Sequence, residues 1–180
     1  MIALFSTQIS VAGKRILHLS PEPRVFTFLK QQAIVTSTDI TPGFYQKIDA
    51  NIQYADATCL PFLANAFDLV IGNHIMEHIP NDRLAMQELY RVLQPGGIAV
   101  VQVPFSESIT TTLEDPNIRD PEQQSARFGQ KDHVRIYCLS DYMNRLREAG
   151  FHVKYVAYES LSALYQYAIQ PQEGFIYITK

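Results

Sequence analysis

Phe67-Asp68-Leu69-Val70-Ile71-Gly72 is a run of branched apolar residues. It reads as a central parallel strand covered on both faces. Downstream, Asn81 to Leu93 has the spacing of a helix. Leu84, Leu89, Val92 and Leu93 fall largely on one face, with Ala85 and Met86 beside it. Asn81 or Asp82 accepts from the free amides of the first turn. Pro95-Gly96-Gly97 ends the helix by removing a donor and permitting positive φ. Ile98-Ala99-Val100-Val101-Gln102-Val103 is then a second buried strand, closed by Pro104. Strand, helix and strand in that order define an α/β unit with a parallel sheet.

The same alternation extends outward. Arg15 to Leu19 reads as a strand, Pro23 to Gln32 as a helix, and Ala33 to Thr38 as a strand ending at Asp39. Asn51 to Ala55 reads as a third strand, ending before Asp56. Periodicity disappears from Phe105 to Tyr137, and a stretch of that kind is expected to be functional or without structure of its own. A helix resumes over Leu139–Ala149, with Ser140 as N-cap and Gly150 as stop. Phe151–Tyr158 and Gly174–Thr179 read as two closing strands.

The chain has 180 residues, 47% of them apolar, with a net charge of −3. These values fit one folded domain over 1–180, with 1–14 as a short leading segment and 105–137 as an insertion over an acceptor site. They exclude a disordered chain. No basic excess points to nucleic acid or an anionic membrane. The apolar run Ile2-Ala3-Leu4-Phe5 is too short for a targeting core, and no window is long enough to span a bilayer. Cys59 and Cys138 make no disulfide framework, so a cytoplasmic protein is expected.

Ligands of open α/β sheets bind outside the carboxyl ends of the strands, where strand order reverses. Four places qualify here: His18–Pro23, Asp39, Asp56 and Asn73–His78. Asp39 stands about 20 residues beyond the first turn, the separation at which a carboxylate meets a ribose diol. Asp56 is placed to accept from an adenine amino group. Each acid taken alone is equally well read as a strand-end turn residue.

Several segments together resemble the small "type 11" class I S-adenosylmethionine-dependent methyltransferases. They are Asp56-Ala57-Thr58-Cys59-Leu60-Pro61-Phe62, Ala66–Val70, His74-Ile75-Met76-Glu77-His78-Ile79 and Glu88–Gly97. The resemblance implies a Rossmann-like, seven-stranded, mostly parallel sheet of order 3-2-1-4-5-7-6, the seventh strand antiparallel, with helices on both faces. The first loop departs from the family. It is normally acidic and glycine-rich, whereas here it reads His18-Leu19-Ser20-Pro21-Glu22-Pro23-Arg24. Its prolines lack amide donors, and Glu22 is anionic, so it makes a poor phosphate cradle. S-adenosylmethionine carries a sulfonium and an ammonium instead, for which Glu22 is a suitable partner. A loop that has lost its cofactor is the opposing reading. Longer proteins similar to this one share the first loop, the His-x-x-Glu-His segment and a stretch like Phe128–Arg135, which marks a subgroup.

Under the resemblance, the donor-binding candidates are His18, Ser20, Glu22, Asp39, Ile40, Asp56, Ala57, Asn73 and His74. His78 and His133 are the candidate catalytic bases. Asp132 is expected to orient His133, and Thr110 to Pro116 to fold over the site as a lid. Structural roles compete for each: a backbone hydrogen bond for His78, a solvated salt bridge for His133. His74, Glu77 and His78 also have the H-x-x-E-H form of a zinc hydrolase. A strand-end position, Pro80 and the lack of a downstream glutamate helix oppose that reading, and no metal ligand is assigned.

The implied reaction is in-line displacement of the sulfonium methyl by an acceptor, leaving S-adenosylhomocysteine, with alignment supplying much of the catalysis. No Asn/Asp-Pro-Pro-Tyr/Phe motif follows the fourth strand, and no basic stripe is present. A small-molecule acceptor is therefore expected, not nucleic acid or a membrane. A binding module without turnover is the alternative. A homodimer or a mobile loop would close the cleft.

Overall fold

The computed structural model describes residues 9–106, 108–115, 117–160 and 174–180. The Ile2–Phe5 run and Pro116 lie outside the described residues. Seven strands make the main sheet: β1 (Arg15–Leu19), β2 (Ile34–Asp39), β3 (Gln53–Tyr54), β4 (Phe67–Ile71), β5 (Leu93–Val100), β6 (His152–Val156) and β7 (Phe175–Thr179). Their spatial order is β3-β2-β1-β4-β5-β7-β6. Strands β1 to β5 pair in parallel, and β7 is antiparallel to both β5 and β6. This is the order and hand of pairing that the resemblance implies. Order reverses between β1 and β4, which places a crevice at their carboxyl ends.

β4 shows why the sheet is buried on both faces. Leu69 and Ile71 enter one apolar cluster with Val25 and Leu29, while Phe67 and Val70 enter the other with Ala85, Met86, Leu89 and Leu146. The period-two alternation of a strand sets Val70 opposite Leu69 and Ile71, and the irregularity between Phe67 and Leu69 lets Phe67 join Val70. Helix α1 (Pro23–Lys30) covers the first cluster. Helices α2 (Asp82–Val92) and α4 (Leu139–Glu148) cover the second.

Local chemistry sets the boundaries. Asn81 caps α2 by accepting from the Leu84 amide at 3.2 Å. Leu84 itself is exposed, so the buried face of α2 is Ala85, Met86, Leu89 and Val92. β5 begins at Leu93, earlier than the sequence suggests, because Leu93 pairs with Phe67 before the register shifts at Pro95-Gly96-Gly97. It ends at Val100, before Val103. The N-cap of α4 is Cys138, not Ser140, whose hydroxyl instead contacts the Cys138 sulfur.

The 105–137 stretch does carry structure of its own. Phe105–Ser106 pairs in parallel with Arg135–Cys138, which pairs antiparallel with Leu113–Glu114. Helix α3 (Pro121–Phe128) lies between them, capped by Asp120 accepting from Gln123 N and ended by Gly129 at φ 86°. The pairing segments are two to four residues long, below what periodicity can reveal. Buried ions replace apolar periodicity here. Arg145 binds Asp82 at 2.8 Å and Glu114 at 2.8 Å. Arg135 binds Glu114 at 3.0 Å. Glu114 thereby pins the segment expected to act as a lid.

Candidate functional site

β1 brings His18 to the crevice fully buried, on the face turned toward α1. The chain turns sharply at Ser20, a non-glycine residue at φ 47°. This is the left-handed region where glycine is the usual occupant. The loop thus keeps a glycine-type turn without glycine. Ser20 Oγ donates to Asp39 Oδ2 at 2.6 Å, which ties the turn to the end of β2. Pro21 and Pro23 then lead into α1, with Glu22 at its N-cap.

The Glu22 side chain does not cap its helix. Its Oε2 accepts from His18 Nε2 at 2.6 Å, and its Oε1 accepts from Asn73 Nδ2 at 2.9 Å. Burial pushes the Glu22 carboxyl upward, but the His18 and Asn73 bonds and the His18 electrostatics outweigh it. The net shift is below the ordinary 4.5. An ionised carboxylate therefore bridges the ends of β1 and β4. Asn73 is fixed from its other end, where Oδ1 accepts from Gln102 N at 3.1 Å.

Asp39 accepts from Ser20 Oγ and from Thr41 N, the latter at 2.6 Å to Oδ1. Each oxygen retains a second lone pair. The Asp39 carbonyl accepts from Ala55 N at 3.1 Å, so Asp56 follows directly beside it. Asp56 Oδ1 holds the amide and hydroxyl of Thr58 at 2.8 and 2.7 Å. Hydrogen bonds join His18, Glu22 and Asn73 in one group and Ser20 and Asp39 in another, and with Asp56 these stand as a rim at the ends of β4, β1, β2 and β3. Ile40 is exposed beside Asp39, and Ala57 packs against the main core. Tyr45 completes the rim, and the sequence reading does not include it. Burial pushes its phenol up, Ser20 opposes this, and the charges of Asp39 and Glu22 add to the rise. A tyrosine after a short 3-10 turn at Pro42–Phe44 carries no motif that would have marked it.

The His74–Pro80 segment is a series of turns, not a helix. His74 has φ 53°, and its side chain is 67% exposed. The one-face geometry of the zinc-hydrolase reading is therefore absent, since residues four apart share a face only on a helix. The turn is held instead from β-segment Arg135–Cys138. Arg135 donates to the carbonyls of Met76, Ile79 and Pro80 at 2.7, 2.5 and 2.9 Å. Val134 N donates to the Glu77 carbonyl at 2.9 Å. His78 and His133 meet edge to face at 4.7 Å. Asp132 turns to His78, not to His133: its carbonyl accepts from His78 Nδ1 at 3.2 Å, with Oδ2 at 3.4 Å.

The sheet order, the crevice at β1 and β4, and the acidic rim define a Rossmann-like fold of the class I S-adenosylmethionine-dependent methyltransferase type. Residues 22–101, from the first loop through β5, match the family model of a methyltransferase domain. A solved S-adenosylmethionine-dependent methyltransferase from Mesorhizobium loti superposes with a TM-score of 0.67 at 17% identity, covering 99% of this chain and 96% of that one. An uncharacterized protein of Mycobacterium tuberculosis is 29% identical over 153 residues, 77% of this chain and 56% of its own. The mitochondrial arginine-hydroxylase NDUFAF5 of Danio rerio is 26% identical over 149 residues, 82% of this chain and 44% of its own. The chain thus spans about half the length of these two relatives. No helix among the described residues is long and apolar enough to cross a membrane.

Proposed function

We propose that this chain binds S-adenosylmethionine at the β4-β1-β2-β3 rim and transfers its methyl group to a small-molecule acceptor. The ionised Glu22 carboxylate, held between His18 and Asn73, carries the reading. The donor chemistry fits that rim. An anion flanked by prolines suits a sulfonium or ammonium and repels a pyrophosphate. Asp39 and Asp56 retain acceptor capacity for the ribose diol and the adenine amine.

When bound, S-adenosylmethionine supplies an electrophilic methyl on sulfur. Glu22 and Asn73 would hold the methionine end, and Asp39 the ribose. His18, buried behind Glu22, would keep that carboxylate aimed. His78 and His133 stand past Asn73-His74 on the acceptor side and would take a proton from an acceptor that must lose one. One relative is named a hydroxylase, so likeness in sequence alone does not set the reaction.

Calorimetric titration of the full chain with S-adenosylmethionine and S-adenosylhomocysteine tests the reading. Binding of both is expected, and Asp39→Ala should weaken it tenfold or more while the chain stays folded. No binding of either at millimolar concentration overturns it. Binding with no methyl transfer across a panel of hydroxyl, amine and thiol acceptors supports a binding module instead.

A further inference from the structure

Glu77 is a buried acid that neither the donor rim nor the fold explains. It is 1% exposed, and its Oε2 has no hydrogen-bond partner among the described residues. Its Oε1 stands 3.7 Å from His74 Nδ1, beyond hydrogen-bond length. A buried carboxylate oxygen left without a hydrogen bond is costly, and a nearby cation would compensate it.

Two imidazoles supply the rest of a site. One ligand atom from each of Glu77, His78 and His133 lies within 4.8 Å of the others. We propose that these three residues bind a divalent first-row transition cation of the zinc type. Two nitrogen donors and one carboxylate favour such a metal over calcium or magnesium, which prefer oxygen alone. Contraction to metal–ligand distances of about 2.0–2.2 Å asks the side chains to close by roughly an ångström. Both histidines are only half-buried, so they have the freedom to do so.

The surroundings are those of a metal-binding histidine. With His78 Nδ1 donating to the Asp132 carbonyl, Nε2 is the nitrogen left with a lone pair. The Val134–Glu77 backbone bond at 2.9 Å sets His133 against the turn. Three protein ligands leave open positions, the pattern of a site that also takes water or a substrate oxygen. This set differs from the H-x-x-E-H motif. His74 is outside it, and His133 comes from a segment 55 residues beyond His78, joined by the fold alone. The site sits beside Asn73-His74 and does not depend on the donor assignment; with metal bound, His78 and His133 serve as ligands in place of the proton-accepting role given above.

The test uses the full chain freed of metal by chelator and then titrated with Zn²⁺ against a chromophoric competitor, and with Co²⁺ followed by visible absorption. About one equivalent of each should bind, and the melting temperature should rise with added metal. Glu77→Gln and His133→Ala should each weaken binding at least tenfold. His74→Ala should leave it unchanged. Should Glu77→Gln disturb packing, His133→Ala at a half-buried position decides. Affinity equal in wild type and His133→Ala, or no binding at micromolar metal, overturns the site.

Discussion

Asn73 Nδ2 donates to Glu22 Oε1 at 2.9 Å, joining the end of β4 to the loop after β1 across 51 residues of sequence. The amide and the carboxylate fix one another. The Gln102 amide holds Asn73 from behind, and His18 holds Glu22 from below.

That clamp predicts the behaviour of Glu22→Gln. The side-chain shape remains while the charge goes. A charged hydrogen bond is worth roughly 1.5–3 kcal/mol, so S-adenosylmethionine should bind about 10–100-fold more weakly. The carboxylate lies partly in solvent, so the melting temperature should change little. Because the folded carboxyl sits below 4.5, Glu22 stays ionised above that pH and contributes no slope to binding between pH 6 and 8. An unchanged dissociation constant by calorimetry would place the donor's cation elsewhere.

Ser20 offers a second separation. Its left-handed φ costs about 1–2 kcal/mol, and its hydroxyl bond to Asp39 offsets that cost. Ser20→Ala keeps the backbone cost and loses the bond, so it should destabilise by about 1.5–3 kcal/mol. Ser20→Gly loses the bond and relieves the backbone, so it should fall within about 1 kcal/mol of wild type. Urea unfolding of the pair checks the order. Ala more stable than Gly would contradict the turn geometry.

The ion network beneath the His74–Pro80 turn should matter more than any surface pair. Asp82 is buried and accepts from Arg145 at 2.8 Å and from Tyr137 at 2.5 Å. Asp82→Ala removes the acceptor of the buried Tyr137 hydroxyl and one of the carboxylates on Arg145, which keeps Glu114 and Asp141, and should cost about 2–3 kcal/mol. Removing the exposed Arg83–Glu148 pair should cost under about 1 kcal/mol.

Acid should act through the same network. The Arg145 bond holds the Glu114 carboxyl down against its burial, with Arg135 adding to the effect, from the ordinary 4.5 to about 2. A lowered folded value means that this stabilisation is present above pH 4.5 and is lost as pH falls from 4.5 toward 2. Chemical unfolding followed over that window should show a shallower pH slope for Glu114→Gln than for wild type. Equal slopes would remove Glu114 from the acid response.

These contacts mark what the sequence could carry. β1, β4 and α2 were legible because strand alternation and a capped amphipathic face are local signals. So were Asp39, Asp56 and Asn73, as strand ends in a parallel sheet. The 105–137 segment was not, because it is held by Arg135, Arg145 and Glu114, whose partners lie far apart in the chain. Asp132 was read with its neighbour His133, yet it binds His78, 54 residues away. Tyr45 and the Glu77–His133 approach are likewise products of tertiary packing, with no spacing to announce them.

Gly150 gives a final test, of the core under α4. Its φ of 109° is closed to most side chains, and an added Cβ would stand 2.9 Å from the Tyr90 ring. Tyr90 has little room to retreat. Its ring meets Phe151 edge to face at 5.2 Å, and Lys180 Nζ lies 4.5 Å over it. Gly150→Ala thus combines backbone cost with overpacking and should destabilise by about 2–3 kcal/mol. Gly129 has φ 86° with nothing within 4 Å of its Cβ position. Gly129→Ala therefore carries the backbone cost alone, about 1–2 kcal/mol. Thermal or urea unfolding of the two variants isolates the Tyr90 contribution as their difference. Equal losses would mean that Tyr90 moves aside, and that the α4–β6 corner is packed more loosely than its ring contacts indicate.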